Sequence, residues 1–128
     1  MLRNMLKRGA RLLVLDDDTS MQKLVGTLLR RAGYRADIVS AGAHAIEKLE
    51  EKNDYAALLL DVMTPTEGGL TVIKYLREKS PELLRRVILV TASPDSVLKA
   101  VEGDVFAIVR KPFEADELLN AIDGVLAQ

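Results

Sequence analysis

The chain contains no cysteine, and no apolar run in it is long enough to cross a membrane. The absence of cysteine excludes disulfide bonds, thiolate metal sites and a cysteine nucleophile, and it is compatible with the cytoplasm, where disulfides are rare. A membrane-spanning helix needs about 20 consecutive apolar residues. The formal net charge is −1, so overall charge does not indicate direct binding of nucleic acid or of a membrane surface. We therefore expect a cytoplasmic domain that is stabilised by its apolar core alone.

The length of 128 residues fits one globular domain, and a second would not fit. Residues 1–10 include basic side chains at Arg3, Lys7 and Arg8 and lack the apolar core of a signal peptide. We interpret residues 1–10 as a basic N-terminal tail and residues 11–128 as the folded domain.

Short apolar runs alternate with helical patterns five times along the domain. The runs predicted as strands lie at 11–15, 38–39, 55–60, 87–90 and 105–109. The helix from Thr19 to Arg31 has its apolar residues on one face, and Thr19 with Gln22 predicts a capping box at its start. Ser40 and Ser93 are predicted to cap the second and fourth helices. Five βα units with right-handed crossovers predict a doubly wound α/β domain, a parallel sheet with helices on both faces.

Acidic residues stand where two of these apolar runs stop. The run 55–60 ends on Asp61, and the run 12–15 ends on Asp16, Asp17 and Asp18. Because the carboxyl ends of parallel strands line one edge of the sheet, we expect these acids to gather at one place. Gathered carboxylates are unfavourable without a cation. The pattern therefore predicts a metal site around a reactive aspartate.

Two further polar residues, Thr91 and Lys111, follow the fourth and fifth apolar runs. Each has a simple explanation when taken singly, because a strand-end threonine can bond the local backbone and a lysine can be a surface charge. Together with the acids they fit the transfer of a phosphoryl group onto a carboxylate. The carboxylates suit Mg²⁺, one carboxylate can act as nucleophile, and the hydroxyl and ammonium can bind phosphoryl oxygens.

Four short motifs carry these residues: Leu13-Val14-Leu15-Asp16-Asp17-Asp18, Leu59-Leu60-Asp61-Val62-Met63-Thr64-Pro65, Val90-Thr91-Ala92 and Lys111-Pro112-Phe113. In this order they resemble the receiver domain of response regulators in two-component signalling, over about residues 11–127. The resemblance implies a flavodoxin-like (βα)5 fold with strand order 2-1-3-4-5. It also implies a domain that phosphorylates and dephosphorylates itself and is not an enzyme acting on an external substrate.

The resemblance assigns roles to individual residues. It identifies Asp61 as the phosphoacceptor, charged by a sensor histidine kinase or a histidine phosphotransfer protein. Asp16 and Asp17 correspond to the acidic pair that holds Mg²⁺, and Met63 to the position whose backbone carbonyl also binds the metal.

Thr91 and Lys111 correspond to the hydroxyl and the ammonium that engage the phosphoryl group. Pro112 corresponds to a proline that follows a cis peptide bond. The resemblance does not specify the output partner, or an output domain from which this receiver was excised, and it leaves open a homodimer.

Two features depart from the family pattern. The position three residues before Lys111, usually aromatic, is Ile108, and the nearest aromatic, Phe106, is predicted on the same face of the strand. The segment from Thr91 to Gly103 is about one helical turn shorter than usual, roughly 5 Å of rise, which predicts a short fourth helix. These departures predict that any change at Asp61 is transmitted through an unusual face.

Two alternative functions fit parts of the pattern. The spacing Asp16-x-Asp18-x-Ser20 resembles the nucleophile motif of haloacid-dehalogenase-type phosphatases, which would make Asp16 the reactive acid. That interpretation leaves Asp61 and Lys111 unexplained, and the chain lacks room for the usual cap and extra strands of that fold. The other alternative is a receiver-like scaffold that binds its partner whatever its phosphorylation state, as the departures from the family pattern would allow.

Overall fold

Strands and helices alternate along the chain in the computed structural model, which describes residues 9–52, 54–62 and 68–128. The five strands are parallel and lie in the order β2-β1-β3-β4-β5, which confirms the predicted fold class. Every helix in the described ranges is too short or too polar to cross a membrane. The elements are β1 (Arg11–Leu15), α1 (Thr19–Arg31), β2 (Arg35–Val39), α2 (Gly42–Glu51), β3 (Ala57–Leu60), α3 (Gly69–Lys79), a 3-10 helix (Pro81–Arg86), β4 (Val87–Thr91), α4 (Asp95–Leu98), β5 (Ala107–Arg110) and α5 (Ala115–Leu126).

The sheet separates two apolar layers, because successive side chains of a strand point to opposite faces. One layer lies between the sheet and α2, α3 and the 3-10 helix, and the other lies between the sheet, α1 and α5. In β1, Leu13 and Leu15 belong to the first layer, whereas Leu12 and Val14 belong to the second. All four are buried, as expected for a central parallel strand that is covered on both faces.

The predicted helix caps are wrong at three places. The N-cap of α1 is Asp18, whose Oδ1 accepts hydrogen bonds from the backbone N–H groups of Ser20 (2.8 Å) and Met21 (3.2 Å). An aspartate one residue before Thr19 competes for the same amides, and its carboxylate is the stronger acceptor. The Gln22 side chain donates instead to the backbone oxygen of Asp16 (2.6 Å) and to the Ser40 hydroxyl (3.0 Å).

The other two predicted caps also use their hydroxyls elsewhere. The α2 helix has Ala41 at its N-cap, with no side-chain cap, and the Ser40 hydroxyl contacts Gln22. The α4 helix has Pro94 at its N-cap, again without a side-chain cap, and the hydroxyl of Ser93 contacts Thr91. Both serines lie one position before the actual cap, and their hydroxyls contact other residues instead.

The region around β5 confirms one prediction and corrects another. The fourth helix is short, as predicted, because α4 spans only 4 residues. The placement of Phe106 on the same face as Ile108 is wrong: Ile108 packs against the α2/α3 layer and Phe106 against the α1/α5 layer. The ring lies so close to Gly124 of α5 that a Cβ there would be 3.0 Å from it. Because β5 begins at Ala107, strand alternation does not extend back to Phe106.

The start of α3 lies directly against the backbone of Asp61. The Gly69 N–H donates to the Asp61 carbonyl oxygen at 2.8 Å. A Cβ at Gly69 would lie 2.7 Å from that oxygen, closer than Cβ atoms approach, and in tight contact with Leu60 Cβ at 3.3 Å. Glycine at this position therefore lets the helix meet the end of β3.

Replacing Gly69 with alanine is expected to lower the free energy of unfolding by about 1 to 3 kcal/mol, the usual cost of overpacking. The control is Gly103→Ala, because nothing lies within 4 Å of a Cβ added there; its effect should stay within about 0.5 kcal/mol. Urea unfolding measures both variants. Equal stability of the two would contradict the close approach of α3 to Asp61.

Candidate functional site

The backbone at the site continues the hydrogen bonding of the sheet by one residue beyond each strand. The N–H of Asp16 donates to Val39 O (3.1 Å), that of Asp61 to Leu15 O (2.9 Å), and that of Lys111 to Thr91 O (3.0 Å). Each site residue is thus held by the neighbouring strand. This explains why the acids that follow β1 and β3 and the lysine that follows β5 come together at one edge.

Lys111 joins the two buried acids of the site. Its Nζ lies 2.6 Å from Asp16 Oδ2 and 2.9 Å from Asp61 Oδ2, and the two acids are only 3% and 7% exposed. Buried carboxylates are unfavourable unless they are paired. The acids gathered at this edge were expected to need a cation. The Lys111 ammonium supplies one, in addition to any bound metal.

The pKa of Lys111 reflects two opposing influences. Burial of the side chain favours the neutral amine, but hydrogen bonds to Asp16 and Asp61, together with their negative charges, outweigh it and leave the pKa raised. The side chain therefore carries its positive charge throughout the neutral pH range.

Thr91 is fully buried at the end of β4 and contacts the same carboxylate. Its hydroxyl donates to Asp61 Oδ1 at 2.9 Å. The Ser93 hydroxyl lies 3.0 Å from Thr91 Oγ1, and the Ser93 N–H donates to that oxygen at 3.2 Å. Asp61 is thus contacted by the hydroxyl on one oxygen and by the ammonium on the other.

Asp17 lies beside the two buried acids but is exposed. One carboxylate oxygen from each of Asp16, Asp17 and Asp61 lies within 4.8 Å of the others. The predicted acidic set is therefore assembled in space. Asp18, by contrast, caps α1 and points to that helix, and Met63 lies outside the described residues.

An open cavity of about 290 Å³ adjoins the Asp61 carboxylate. Lys111 is one of its lining residues, and the Lys111–Pro112 peptide bond is cis, as the family resemblance implies. The space is sufficient for a small anionic group next to Asp61. The lining residues are Asp61, Thr91, Ala92, Ser93, Pro94 and Lys111.

Sequence reasoning missed two residues that contact this site or its wall. Ser93 is 6% exposed, and its position two residues after Thr91 was a usable signal, because a strand-end threonine can bond the backbone two residues on. Arg110 ends β5, and its guanidinium donates to the Ser93 carbonyl oxygen and to the Asp95 carboxylate. Nothing in the local sequence distinguishes Arg110 from an ordinary surface charge.

We expect the stability contributed by the Lys111 charge to be lost only in alkaline solution. The pKa is raised above its ordinary 10.5 on folding, so the folded protein binds this proton more tightly than the unfolded chain does. The contribution is complete below the ordinary value and disappears as pH rises through the raised one.

Urea unfolding of the wild type and of Lys111→Met, in a chelator of divalent cations, measures this contribution. The difference in unfolding free energy should stay constant from about pH 7 to about pH 10 and shrink above that. A difference that already shrinks near neutral pH would contradict the raised pKa of Lys111.

A family model described as the response regulator receiver domain matches residues 12–123. The chain is 33% identical over 120 residues to the transcriptional regulatory protein GltR of Pseudomonas aeruginosa, covering 92% of this chain and 49% of that protein. It is 37% identical over 114 residues to the transcriptional regulatory protein DltR of Streptococcus agalactiae, covering 88% of this chain and 50% of that protein. The chain spans about half the length of these relatives.

Solved structures show the same fold. The receiver domain of a sensor histidine kinase from Pseudomonas aeruginosa, with a magnesium ion coordinated in its active-site cleft, superposes with a TM-score of 0.83 at 23% identity, covering 94% of this chain and 99% of that one. A response regulator receiver domain from Clostridium thermocellum gives a TM-score of 0.82 at 23% identity, covering 92% of this chain and 94% of that one. With the family model spanning most of the folded residues, the chain belongs to the response regulator receiver domains.

Proposed function

We propose that this receiver domain accepts a phosphoryl group on Asp61 and changes its binding to a partner in response. The observation that carries the proposal is the Asp61 carboxylate itself. It is 7% exposed, adjoins an open cavity, and is contacted by the Thr91 hydroxyl and the Lys111 ammonium. A buried carboxylate with two phosphate-binding donors beside it is suited to nucleophilic attack on phosphorus.

The transfer forms one bond and breaks one. An oxygen of Asp61 attacks the phosphorus of a phosphohistidine, the P–N bond breaks, and its electron pair stays on the imidazole nitrogen. Lys111 has three N–H donors, of which two are directed at Asp16 and Asp61, so it can also reach a phosphoryl oxygen. The Thr91 hydroxyl can turn from the carboxylate to another phosphoryl oxygen. Both donors already lie beside Asp61, so they need only small movements to stabilise the developing charge.

The acidic set fits Mg²⁺. Hard oxygen ligands suit this ion, which one or two carboxylates usually hold together with waters. Asp16, Asp17 and Asp61 would hold it, and Met63 would add its backbone carbonyl. When bound, the ion offsets negative charge on the phosphoryl oxygens during transfer. The related sensor-kinase receiver with magnesium in its cleft supports this assignment.

The partners follow from the family. We propose that a sensor histidine kinase or a histidine phosphotransfer protein supplies the phosphoryl group, in the cytoplasm. Residues 11–128 would form the receiver and residues 1–10 a tail. The relatives that are twice as long are transcriptional regulators, so the output is either a further domain of a longer chain or a separate protein.

A phosphorylation-independent scaffold is the second candidate function. The specific observation in its favour lies around β5: Ile108 replaces the usual aromatic, α4 has 4 residues, and Phe106 packs on the opposite layer. A ring that reorients when Thr91 moves is therefore missing from that strand position.

The first test is covalent labelling. We expect a small acyl-phosphate donor with Mg²⁺ to add one phosphoryl group to the wild type and none to Asp61→Asn, because the amide is not a nucleophile toward phosphorus. Intact-mass spectrometry and peptide mapping measure the adduct. The control is Asp116→Asn, an exposed acid in the first turn of α5, which should be labelled like the wild type. Labelling that persists in Asp61→Asn, or that maps to Asp16, would overturn the assignment.

The second test separates a switch from a scaffold. Beryllofluoride with Mg²⁺ mimics a phosphorylated aspartate, and we expect it to shift backbone amide resonances in β4, α4 and β5 of the wild type. Asp61→Asn with the same additions is the control and should show no such shifts. Wild-type protein that is labelled by acyl phosphate but whose β4 and β5 amides do not shift would favour the scaffold.

A further inference from the structure

We propose that Arg110 is a positioning residue for the phosphoryl site. It holds the segment after β4 so that Ser93 directs the Thr91 hydroxyl toward Asp61. The proposal rests on the proposed phosphorylation of Asp61 and adds a residue outside the acidic set. It concerns the speed of transfer rather than the identity of the acceptor.

The first step is the position of Arg110 in the sheet. It is the last residue of β5, it precedes Lys111, and its Cα pairs in register with that of Thr91 on β4. From there its guanidinium reaches the chain that leaves β4. One nitrogen donates to the Ser93 carbonyl oxygen, and the other donates to the Asp95 carboxylate. A planar, forked group suits such a double contact.

The second step is what the held segment does to Thr91. The Ser93 N–H donates to Thr91 Oγ1 at 3.2 Å, and the two hydroxyl oxygens lie 3.0 Å apart. A threonine hydroxyl has a single proton. When its oxygen accepts from Ser93, that proton is free to point at Asp61 Oδ1, 2.9 Å away. Accepting a hydrogen bond also strengthens the one that the hydroxyl donates.

The third step is the burial of the contact that Arg110 supports. Asp95 is 82% exposed at its side chain, so its ion pair with Arg110 contributes little to overall stability. Ser93, in contrast, is 6% exposed and lines the same cavity as Asp61. A loosened Ser93 would therefore change the site itself, while the loss of the exposed ion pair would scarcely change the fold.

The chain offers a matched control for this argument. Arg77 on α3 is 44% exposed at its side chain, close to the 45% of Arg110. It likewise donates to a carboxylate, that of Asp104, and to a backbone carbonyl, that of Ala100. Its partners do not line the cavity next to Asp61. Removing Arg77 therefore reproduces the loss of an exposed arginine clamp without disturbing Ser93.

The experiment compares Arg110→Met and Arg77→Met with the wild type, after thermal unfolding has shown that each is folded. The rate of labelling at Asp61 by acetyl phosphate with Mg²⁺ should fall about three- to tenfold in Arg110→Met, the effect expected for one misdirected hydrogen bond. Arg77→Met should retain the wild-type rate. Arg110→Lys keeps the charge but not the forked guanidinium. Its labelling rate should lie between those of Arg110→Met and the wild type.

A second measurement does not depend on phosphorylation. Three-bond couplings report the χ1 rotamer of Thr91, which should be single in the wild type and Arg77→Met and averaged in Arg110→Met. An unchanged labelling rate and rotamer in Arg110→Met, or equal slowing in Arg77→Met, would overturn the role of Arg110. Failure of the wild type to be labelled would instead overturn the proposed function, and the couplings would still decide the role of Arg110.

Discussion

The contact of the Lys111 ammonium with Asp16 and Asp61 is the interaction on which the site depends. Two nearly buried carboxylates at the ends of adjacent strands repel each other, and neither can be well hydrated. The lysine neutralises part of that charge from the far side of β4, because β5 is separated from β3 by one strand. Its long side chain spans that distance, and Thr91 lies at the end of the strand between. The site therefore depends on this strand order, on these residue types and on the balance of their charges together.

Backbone hydrogen bonds of the sheet hold one side of the site, and side-chain contacts hold the other side, after β4. Asp16, Asp61 and Lys111 each have a backbone N–H bonded to the neighbouring strand, so the sheet fixes their positions. The start of α3 adds a further bond to the Asp61 carbonyl. The segment after β4 has less support from the sheet, and its contacts with the rest of the site come from Ser93 and Arg110. A change of state at Asp61 is therefore accommodated most easily in that segment.

Much of the fold and most of the site could be predicted from the sequence, and each error has a physical cause. Apolar periodicity reports burial, so it located the strands, the buried helix faces and the acids at the strand ends. The predicted cap at Thr19 failed because Asp18 competes for the same amides, and those at Ser40 and Ser93 failed because their hydroxyls bond to other residues. Phe106 was misplaced because alternation holds only within a strand. Ser93 was missed although its position two residues after Thr91 is a local signal, whereas Arg110 was missed because its contacts with the segment after β4 are not encoded in local sequence.

The same geometry bears on how a signal could leave the site without an aromatic ring beside β5. Ile108 is partly buried against the apolar layer that contains Leu98. Its aliphatic side chain has no polar group that could make a hydrogen bond at the surface when it moves. Asp95 and Arg110 are different, because each is exposed at its side chain and is linked through the Ser93 segment to Thr91. Movement of Thr91 toward a phosphoryl group would be transmitted to charged groups at the surface through hydrogen bonds rather than through an aromatic ring. Asp95 begins α4 soon after Thr91, and Arg110 ends β5 directly before Lys111, so both charged groups lie close in sequence to residues of the site.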